Sequence, residues 1–191
     1  MLSVLVIDES RSRAGEICAG LALAGYQVAA ILAGAENLTA EVERLQPDVI
    51  LIDTDSPSRD TLENLAAMNK NMPRPVVIFT LADGQETIRD AVKAGVSAYI
   101  VDGLDPKRIK PIVEVARARF EDTQALRREL DEVSKKLTDR KLVDKAKGVL
   151  MKARGLDEDA AYHAMRKLAM ERGQSMAKVA RDVIDMARVL L

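Results

Sequence analysis

The chain has 191 residues, of which 48% are hydrophobic and 31% charged, with one cysteine and one histidine. This composition excludes an intrinsically disordered chain and an internal disulfide framework, and it argues against a zinc site built from Cys and His. No apolar run reaches the roughly 20 residues that a membrane-spanning helix needs, and the start lacks a signal-peptide pattern. We therefore expect a soluble cytoplasmic protein with no membrane partner.

Charge is distributed unevenly along the chain. Residues 1–120 carry 13 basic and 17 acidic side chains, residues 121–134 carry 2 and 5, and residues 135–191 carry 14 and 8. The formal net charge of −1 therefore hides an acidic body and a basic C-terminal part. Such asymmetry is typical of a protein that binds a polyanion, although solvated helix surfaces give the same count.

The first 105 residues alternate short apolar runs with amphipathic stretches of helical period. The predicted strands are Leu2–Ile7, Val28–Leu32, Val49–Ile52, Val76–Phe79 and Ala98–Val101. The predicted helices are Arg11–Ala24, Ala35–Leu45, Ser58–Asn71 and Gln85–Ala94. This order predicts an α/β fold with a doubly wound, five-stranded parallel sheet that helices cover on both faces.

Polar side chains stand where three of these strands end. Asp8 and Glu9 follow the first strand, Asp53 follows the third, and Thr80 follows the fourth. Carboxylates gathered at one sheet edge repel each other, which a hard cation such as Mg²⁺ relieves, and a carboxylate beside a metal can accept a phosphoryl group. For any one of these residues, ordinary helix capping is the simpler explanation.

Residues 1–105 resemble the receiver domain of two-component response regulators, which has a flavodoxin-like fold. The motifs are VLVIDES, PDVILIDTDSP, VVIFT and AGVSAYIV. The resemblance implies that Asp8 and Glu9 match the metal-binding acids, Asp53 the phosphorylated aspartate, and Thr80 the hydroxyl that senses the phosphoryl group.

One position departs from the receiver pattern. Receivers place a lysine after the fifth strand, and here AYIVDGL puts Asp102 in that place. An anion there repels a phosphoryl group at close range. We therefore expect a pseudo-receiver that needs no cofactor, with Mg²⁺ possible at the acidic residues. Phosphorylation of Asp53 by a histidine kinase remains the alternative.

Residues 106–137 are predicted to form a coiled-coil linker helix. Its apolar seam consists of Leu126, Leu130, Val133 and Leu137. A seam flanked by charges indicates a homodimer, or packing against another helix of the same chain.

Residues 138–191 are predicted to form three short helices. Thr138 or Asp139 caps the first, Asp157 the second and Ser175 the third, while glycines end the first two. Off the apolar faces, Lys141, Lys145, Gly148 and Lys152 share one stripe of the first helix. Tyr162 lies beside Arg166 on the second, a pairing suited to stacking on unpaired bases. A solvated surface with one exposed tyrosine is the alternative.

Residues 138–191 also resemble the ANTAR domain of the AmiR/NasT antitermination regulators, most closely the NasT type. The run is LVDKAKGVLMKARGLDEDAAYHAMRKLAMERGQSMAKVARDVI. The resemblance implies binding to leader-RNA stem-loops, control of nitrate and nitrite assimilation genes, and a sensor protein that sequesters the regulator. The candidate RNA-binding residues are Lys141, Lys145, Lys147, Gly148, Lys152, Tyr162, Arg166 and Lys167.

Two other readings of the chain stay open. The helical tail is a DNA-binding or protein-binding module in one of them, and the chain is a phosphorylation-dependent regulator with an RNA output in the other. We expect no enzyme, because no nucleophile–base pair, metal cluster or phosphate-binding loop is visible.

Overall fold

The computed structural model describes residues 1–9, 13–101 and 105–190. The chain divides into two compact units, Met1–Gln124 and Ala125–Leu191, and each is described by itself. The domain limits at residues 105 and 137 that we expected from the sequence stay predictions.

The first unit contains a five-stranded parallel sheet. Its strands are β1 (Ser3–Asp8), β2 (Gln27–Leu32), β3 (Val49–Asp53), β4 (Val76–Thr80) and β5 (Ala98–Val101). They lie in the order β2-β1-β3-β4-β5, and every pairing is parallel. The predicted α/β fold with a doubly wound sheet is confirmed.

Helices cover both faces of this sheet. They are α1 (Ala14–Leu23), α2 (Leu38–Leu45), α3 (Arg59–Asn71), α4 (Gln85–Lys93) and the first turns of α5. Val42, Leu65 and Ala91 pack with β1, β3 and β4 side chains in one buried cluster. Ile17 and Val113 belong to the cluster on the other face. Buried residues fill β1, β3 and β4 because both of their faces are covered.

The helix α5 runs without interruption over Ile109–Arg154, after a short 3₁₀ turn at Pro106–Arg108. The predicted helix start at Thr138 or Asp139 is therefore wrong. The Thr138 hydroxyl donates to the Ser134 carbonyl 2.9 Å away, one turn back along the same helix. A threonine that bonds in this way is an interior helix residue and not a cap.

The second unit also contains α6 (Glu158–Arg172) and α7 (Met176–Leu190). The Asp157 carboxylate accepts from the Ala160 amide at 2.7 Å, and the Ser175 hydroxyl from the Lys178 amide at 3.2 Å, so both predicted caps are present. Ala146 of α5 packs with α6 and α7 in one core, whose other fully or nearly buried members are Met165, Ala169, Val179, Ala180 and Ile184. Within the described ranges, no helix is long and apolar enough to cross a membrane.

Candidate functional site

The carboxyl ends of three strands form an acidic pocket, which we define by Asp8, Asp53 and Thr80. Asp8 and Asp53 end neighbouring strands and are paired in register, and Thr80 ends the next strand along. All three are buried, with exposed fractions of 2%, 0% and 0%. The pocket lies where β1 meets β3, the switch point at which open α/β sheets bind ligands.

Arg13 supplies a cation to this pocket, and the sequence analysis did not identify it. Its Nε lies 2.9 Å from Asp53 Oδ2, and its Nη2 lies 3.5 Å from Asp55 Oδ1. The N–H does not point at the Asp53 carboxylate well enough for a hydrogen bond, so the attraction is mainly electrostatic. Arg13 was expected inside a helix, yet α1 begins only at Ala14, so Arg13 lies directly before the helix.

Burial dominates the electrostatics of Asp53. It raises the pKa of this carboxyl above its ordinary value, while the charge of Arg13 lowers that pKa and the charge of Asp8 raises it. Desolvation penalises a carboxylate, and a guanidinium at contact distance offsets that cost. The ion pair with Arg13 therefore offsets part of the cost of keeping Asp53 ionised in the folded chain.

Two hydrogen bonds fix the Thr80 hydroxyl, one to a residue after β3 and one to a residue after β4. It donates to the Asp55 carbonyl at 2.9 Å and accepts from the Ala82 amide at 3.1 Å. The Tyr99 hydroxyl donates to the Ala82 carbonyl at 3.0 Å, which ties β5 to the same loop. To act as the predicted switch, the Thr80 hydroxyl has to give up its hydrogen bonds to Asp55 and Ala82 and form others.

Glu9 is bound to the start of α3. The Thr61 hydroxyl donates to Glu9 Oε1 at 2.7 Å, and the amide of Thr61 donates to the Ser58 hydroxyl that caps this helix. Over the described residues, no group of three or more His, Cys, Asp or Glu side chains is arranged to hold a metal ion. Magnesium binding stays a prediction. Asp102, the departure from the lysine of receivers, lies outside the described residues.

The second unit carries a lysine stripe on α5, formed by Lys141, Lys145 and Lys152, and an exposed arginine on α6, Arg166. We call these four residues together the basic face. All four side chains are exposed. The lysines follow a spacing of four and seven residues, which places them on one stripe of the helix. None of the four forms an ion pair within the described part of the chain, so these charges are available to an anionic ligand.

Lys147 has a different environment from the basic face. Its Nζ lies 2.8 Å from Asp144 Oδ1 and 2.7 Å from Glu158 Oε1. Hydrogen bonds to these two carboxylates raise the pKa of Lys147, and the bond from Lys147 lowers the pKa of Asp144. Because Glu158 starts α6, Lys147 connects α5 to α6 and its charge is compensated within the protein.

Gly148 interrupts the lysine stripe. A Cβ at this position would meet no atom within 4 Å beyond its own helical turn. Nothing in the fold of this unit therefore requires glycine here, although glycine costs a helix about 1 kcal/mol relative to alanine. The residue leaves a stretch of bare backbone between Lys145 and Lys152.

An aromatic side chain stands on the surface of α6. Tyr162 is 41% exposed, and its ring contacts that of His163 edge-on, with 6.0 Å between the ring centroids. Arg166 follows Tyr162 by one helical turn, so the two are neighbours on the surface. Lys167 lies 3.9 Å from Glu171, a long exposed pair that leaves its charge largely solvated.

The predicted seam of the linker helix is exposed in the single chain. Leu126, Leu130, Val133 and Leu137 have exposed fractions of 62%, 68%, 58% and 54%. Their spacing places them on one stripe of α5. The protein therefore presents an unpaired apolar stripe of the kind that coiled coils bury.

The fold, the acidic pocket and the basic helical unit define a receiver-type regulator with a helical output unit. The model of the response regulator receiver domain matches residues 4–114, and that of the ANTAR domain matches residues 131–184. The chain belongs to the response regulator receiver family and carries an ANTAR domain, an architecture of regulators of transcription.

Two curated relatives and one solved structure illustrate this assignment. The transcriptional regulatory protein PdtaR of Mycobacterium tuberculosis is 29% identical over 161 residues, which cover 84% of this chain and 78% of the relative. The nitrate regulatory protein of Klebsiella oxytoca is 36% identical over 75 residues, 39% of this chain and 19% of that protein. A CheY-like receiver domain from Methanospirillum hungatei matches 64% of this chain and 98% of its own, with a TM-score of 0.56 and 22% identity, which shows the fold alone.

Proposed function

We propose that this protein is an RNA-binding transcription antitermination regulator that acts on stem-loops in leader RNA. The observation that carries the proposal is the basic face: Lys141, Lys145, Lys152 and Arg166 are exposed and form no ion pair among the described residues of an ANTAR domain. Phosphate contacts by such cations provide most of the affinity of a protein for nucleic acid.

Tyr162 favours RNA loops over duplex DNA as the ligand. Sequence-specific recognition of RNA relies on unpaired bases that stack on aromatic side chains or on arginine. An exposed tyrosine one helical turn from Arg166 offers both kinds of surface. Duplex DNA presents no unpaired bases for this contact, so a protein–DNA complex would leave the ring of Tyr162 without a base to stack on.

The exposed seam supports a dimer that binds two stem-loops at once. Each chain contributes one ANTAR domain, and two domains on one coiled coil engage two loops of the same transcript. Joining two binding modules raises overall affinity by about 10²-fold or more without any new contact. Occupation of both loops prevents the terminator hairpin from forming, which lets transcription continue.

A competition experiment tests the choice of polymer. The labelled probe is a pool of RNAs with two stem-loops whose loop bases are randomised, and the competitors are unlabelled stem-loop RNA, single-stranded RNA and duplex DNA. We expect enrichment of a common loop sequence and competition by stem-loop RNA alone. Equal competition by duplex DNA, or the absence of enrichment, would contradict the proposal.

We expect Gly148→Ala to separate stability from binding. Alanine strengthens the helix by about 1 kcal/mol, so the free energy of unfolding rises. The added Cβ keeps a phosphate backbone away from α5, so affinity for the selected RNA falls several-fold. Chemical denaturation and filter binding measure the two quantities. An unchanged affinity would show that RNA does not approach the helix at this residue.

The proposed input is a sensor protein, and the proposed targets are nitrate and nitrite assimilation genes. The likeness to a nitrate regulatory protein supports the targets, and the aspartate at position 102 together with the Arg13–Asp53 ion pair supports an input other than phosphate. In pull-downs with the full chain from cells of its own species, we expect a bound partner that nitrate releases. Recovery of the same proteins with and without nitrate would contradict the nitrate input.

A further inference from the structure

Asp53 is a fully buried carboxylate with a cation already beside it. A carboxylate is costly to bury unless a counter-charge lies close to it. Arg13 provides that charge from a side chain that is 27% exposed, with 2.9 Å between Nε and Asp53 Oδ2. A second contact, 3.5 Å from Arg13 Nη2 to Asp55 Oδ1, joins the guanidinium to a further, exposed carboxylate.

The residues of the acidic pocket do not fit Mg²⁺ in this arrangement. Magnesium needs oxygen ligands at about 2.0–2.1 Å in near-octahedral geometry. Here the guanidinium occupies the approach to Asp53 Oδ2, and the carboxylate of Glu9 is bound by the Thr61 hydroxyl at 2.7 Å.

We propose that Arg13 is the resident counter-ion of Asp53 and takes the place that a divalent metal holds in the acidic pocket of a receiver. The positive charge of Arg13 then balances the negative charge of Asp53 without any bound ion. A divalent cation has to displace the guanidinium, and the repulsion between the two cations opposes this at contact distance. Arg13 therefore determines which cation the pocket accepts.

The location of Arg13 suits this role. It directly precedes α1, and its side chain reaches Asp53 at the end of β3. Arginine remains charged at every physiological pH, so the counter-ion is permanent. The proposal does not depend on the proposed RNA function, since it concerns the first unit alone.

Magnesium titration of the full chain tests the proposal, with MgCl₂ as the only added ligand. A ligand that binds only the folded state raises the unfolding midpoint, so we expect no shift for the wild type at about 10 mM Mg²⁺. Arg13→Gln removes the counter-ion while keeping the length of a polar side chain. We expect this variant to unfold at a lower temperature without Mg²⁺, to regain stability with it, and to bind Mg²⁺ at least about tenfold more tightly in calorimetry.

Two further variants make the result specific. Arg59→Gln removes an exposed arginine that pairs with Glu63 on α3, and we expect it to behave like the wild type in the titration. The double variant Arg13→Gln/Asp53→Asn has no carboxylate at position 53 that needs a counter-charge, so it should regain the stability lost by Arg13→Gln and should not respond to Mg²⁺.

Three outcomes would overturn the proposal. The first outcome is that the wild type binds Mg²⁺ as tightly as the Arg13→Gln variant does. The second is that Arg13→Gln has the stability of the wild type and does not respond to Mg²⁺. If Arg13→Gln does not fold, the double variant decides: it folds if the lost stability came from the unpaired carboxylate. A double variant that fails to fold beside a folded Asp53→Asn would assign Arg13 a different role.

Discussion

Lys145→Glu/Lys152→Glu is expected to reduce RNA affinity by at least about 100-fold, because each of the two contacts between a charged side chain and a phosphate contributes about 1.5–3 kcal/mol. Both lysines are exposed and form no ion pair among the described residues, so the variant should fold normally. The slope of log affinity against log salt concentration should fall by about 1.4, since each phosphate contact on a single strand contributes about 0.7. Filter binding at several salt concentrations measures both effects.

Lys110→Glu/Arg119→Glu is the matched control for this prediction. Both residues are exposed on α5 but belong to the first unit, and the change in net charge is the same. A general electrostatic effect would weaken the control and the test variant equally. The prediction requires that the control keeps near-wild-type affinity and an unchanged salt slope, and equal losses would place the binding surface elsewhere.

The second large effect is expected in the seam of α5. Leu130→Gln/Leu137→Gln should convert a dimer into a monomer at low micromolar concentration, as measured by sedimentation. The two substitutions in each chain remove four leucines from the interface, and each buried leucine contributes about 1.5–3 kcal/mol. Both leucines are more than half exposed in the single chain, and glutamine suits a helix well, so the monomer should stay folded.

Loss of the dimer should also weaken RNA binding, because the monomer loses the avidity of two linked ANTAR domains. The monomer keeps its basic face, yet it holds only one stem-loop at a time, so its affinity for an RNA with two stem-loops should fall by about 100-fold. Its affinity for a single stem-loop should not change. Arg128→Gln/Lys135→Gln, on the opposite face of the same helix, is the control for association. A seam variant that still sediments as a dimer would show that these leucines do not form the interface.

The sheet was predictable because its strands carry continuous apolar runs. The strands β1, β3 and β4 are covered on both faces and therefore need hydrophobic residues on both. A continuous apolar run such as VILI at residues 49–52 is the sequence pattern that such a strand requires. The same runs end in Asp8, Asp53 and Thr80, so the pocket followed from the fold. The seven-residue spacing of the α5 seam was equally visible.

The partners within the pocket were not predictable. Arg13 meets Asp53 only because α1 begins at Ala14, and helix boundaries are weakly encoded in local sequence. Glu9 accepts from Thr61, which is 52 residues away, so this hydroxyl partner depended on where α3 begins.

The sequence pattern also did not predict that α5 continues through Thr138 or that Lys147 pairs with Glu158. Thr138 has the chemistry of a cap, but its hydroxyl bonds back within a helix that continues on both sides. Lys147 was predicted to be one of the RNA-binding residues. Asp144 lies three residues away on the same helix, whereas Glu158 became visible as a partner only when α6 was placed beside α5.

Crosslinking in living cells is the most direct test that the basic face binds leader RNA. Ultraviolet crosslinking of the full-length protein, followed by sequencing of the attached RNA, reports what the basic face binds at native concentration. The account predicts 5′ leader transcripts with two stem-loops ahead of a terminator, and it predicts their loss in the Lys145→Glu/Lys152→Glu variant. Recovery of no leader RNA, or equal recovery with that variant, would contradict it.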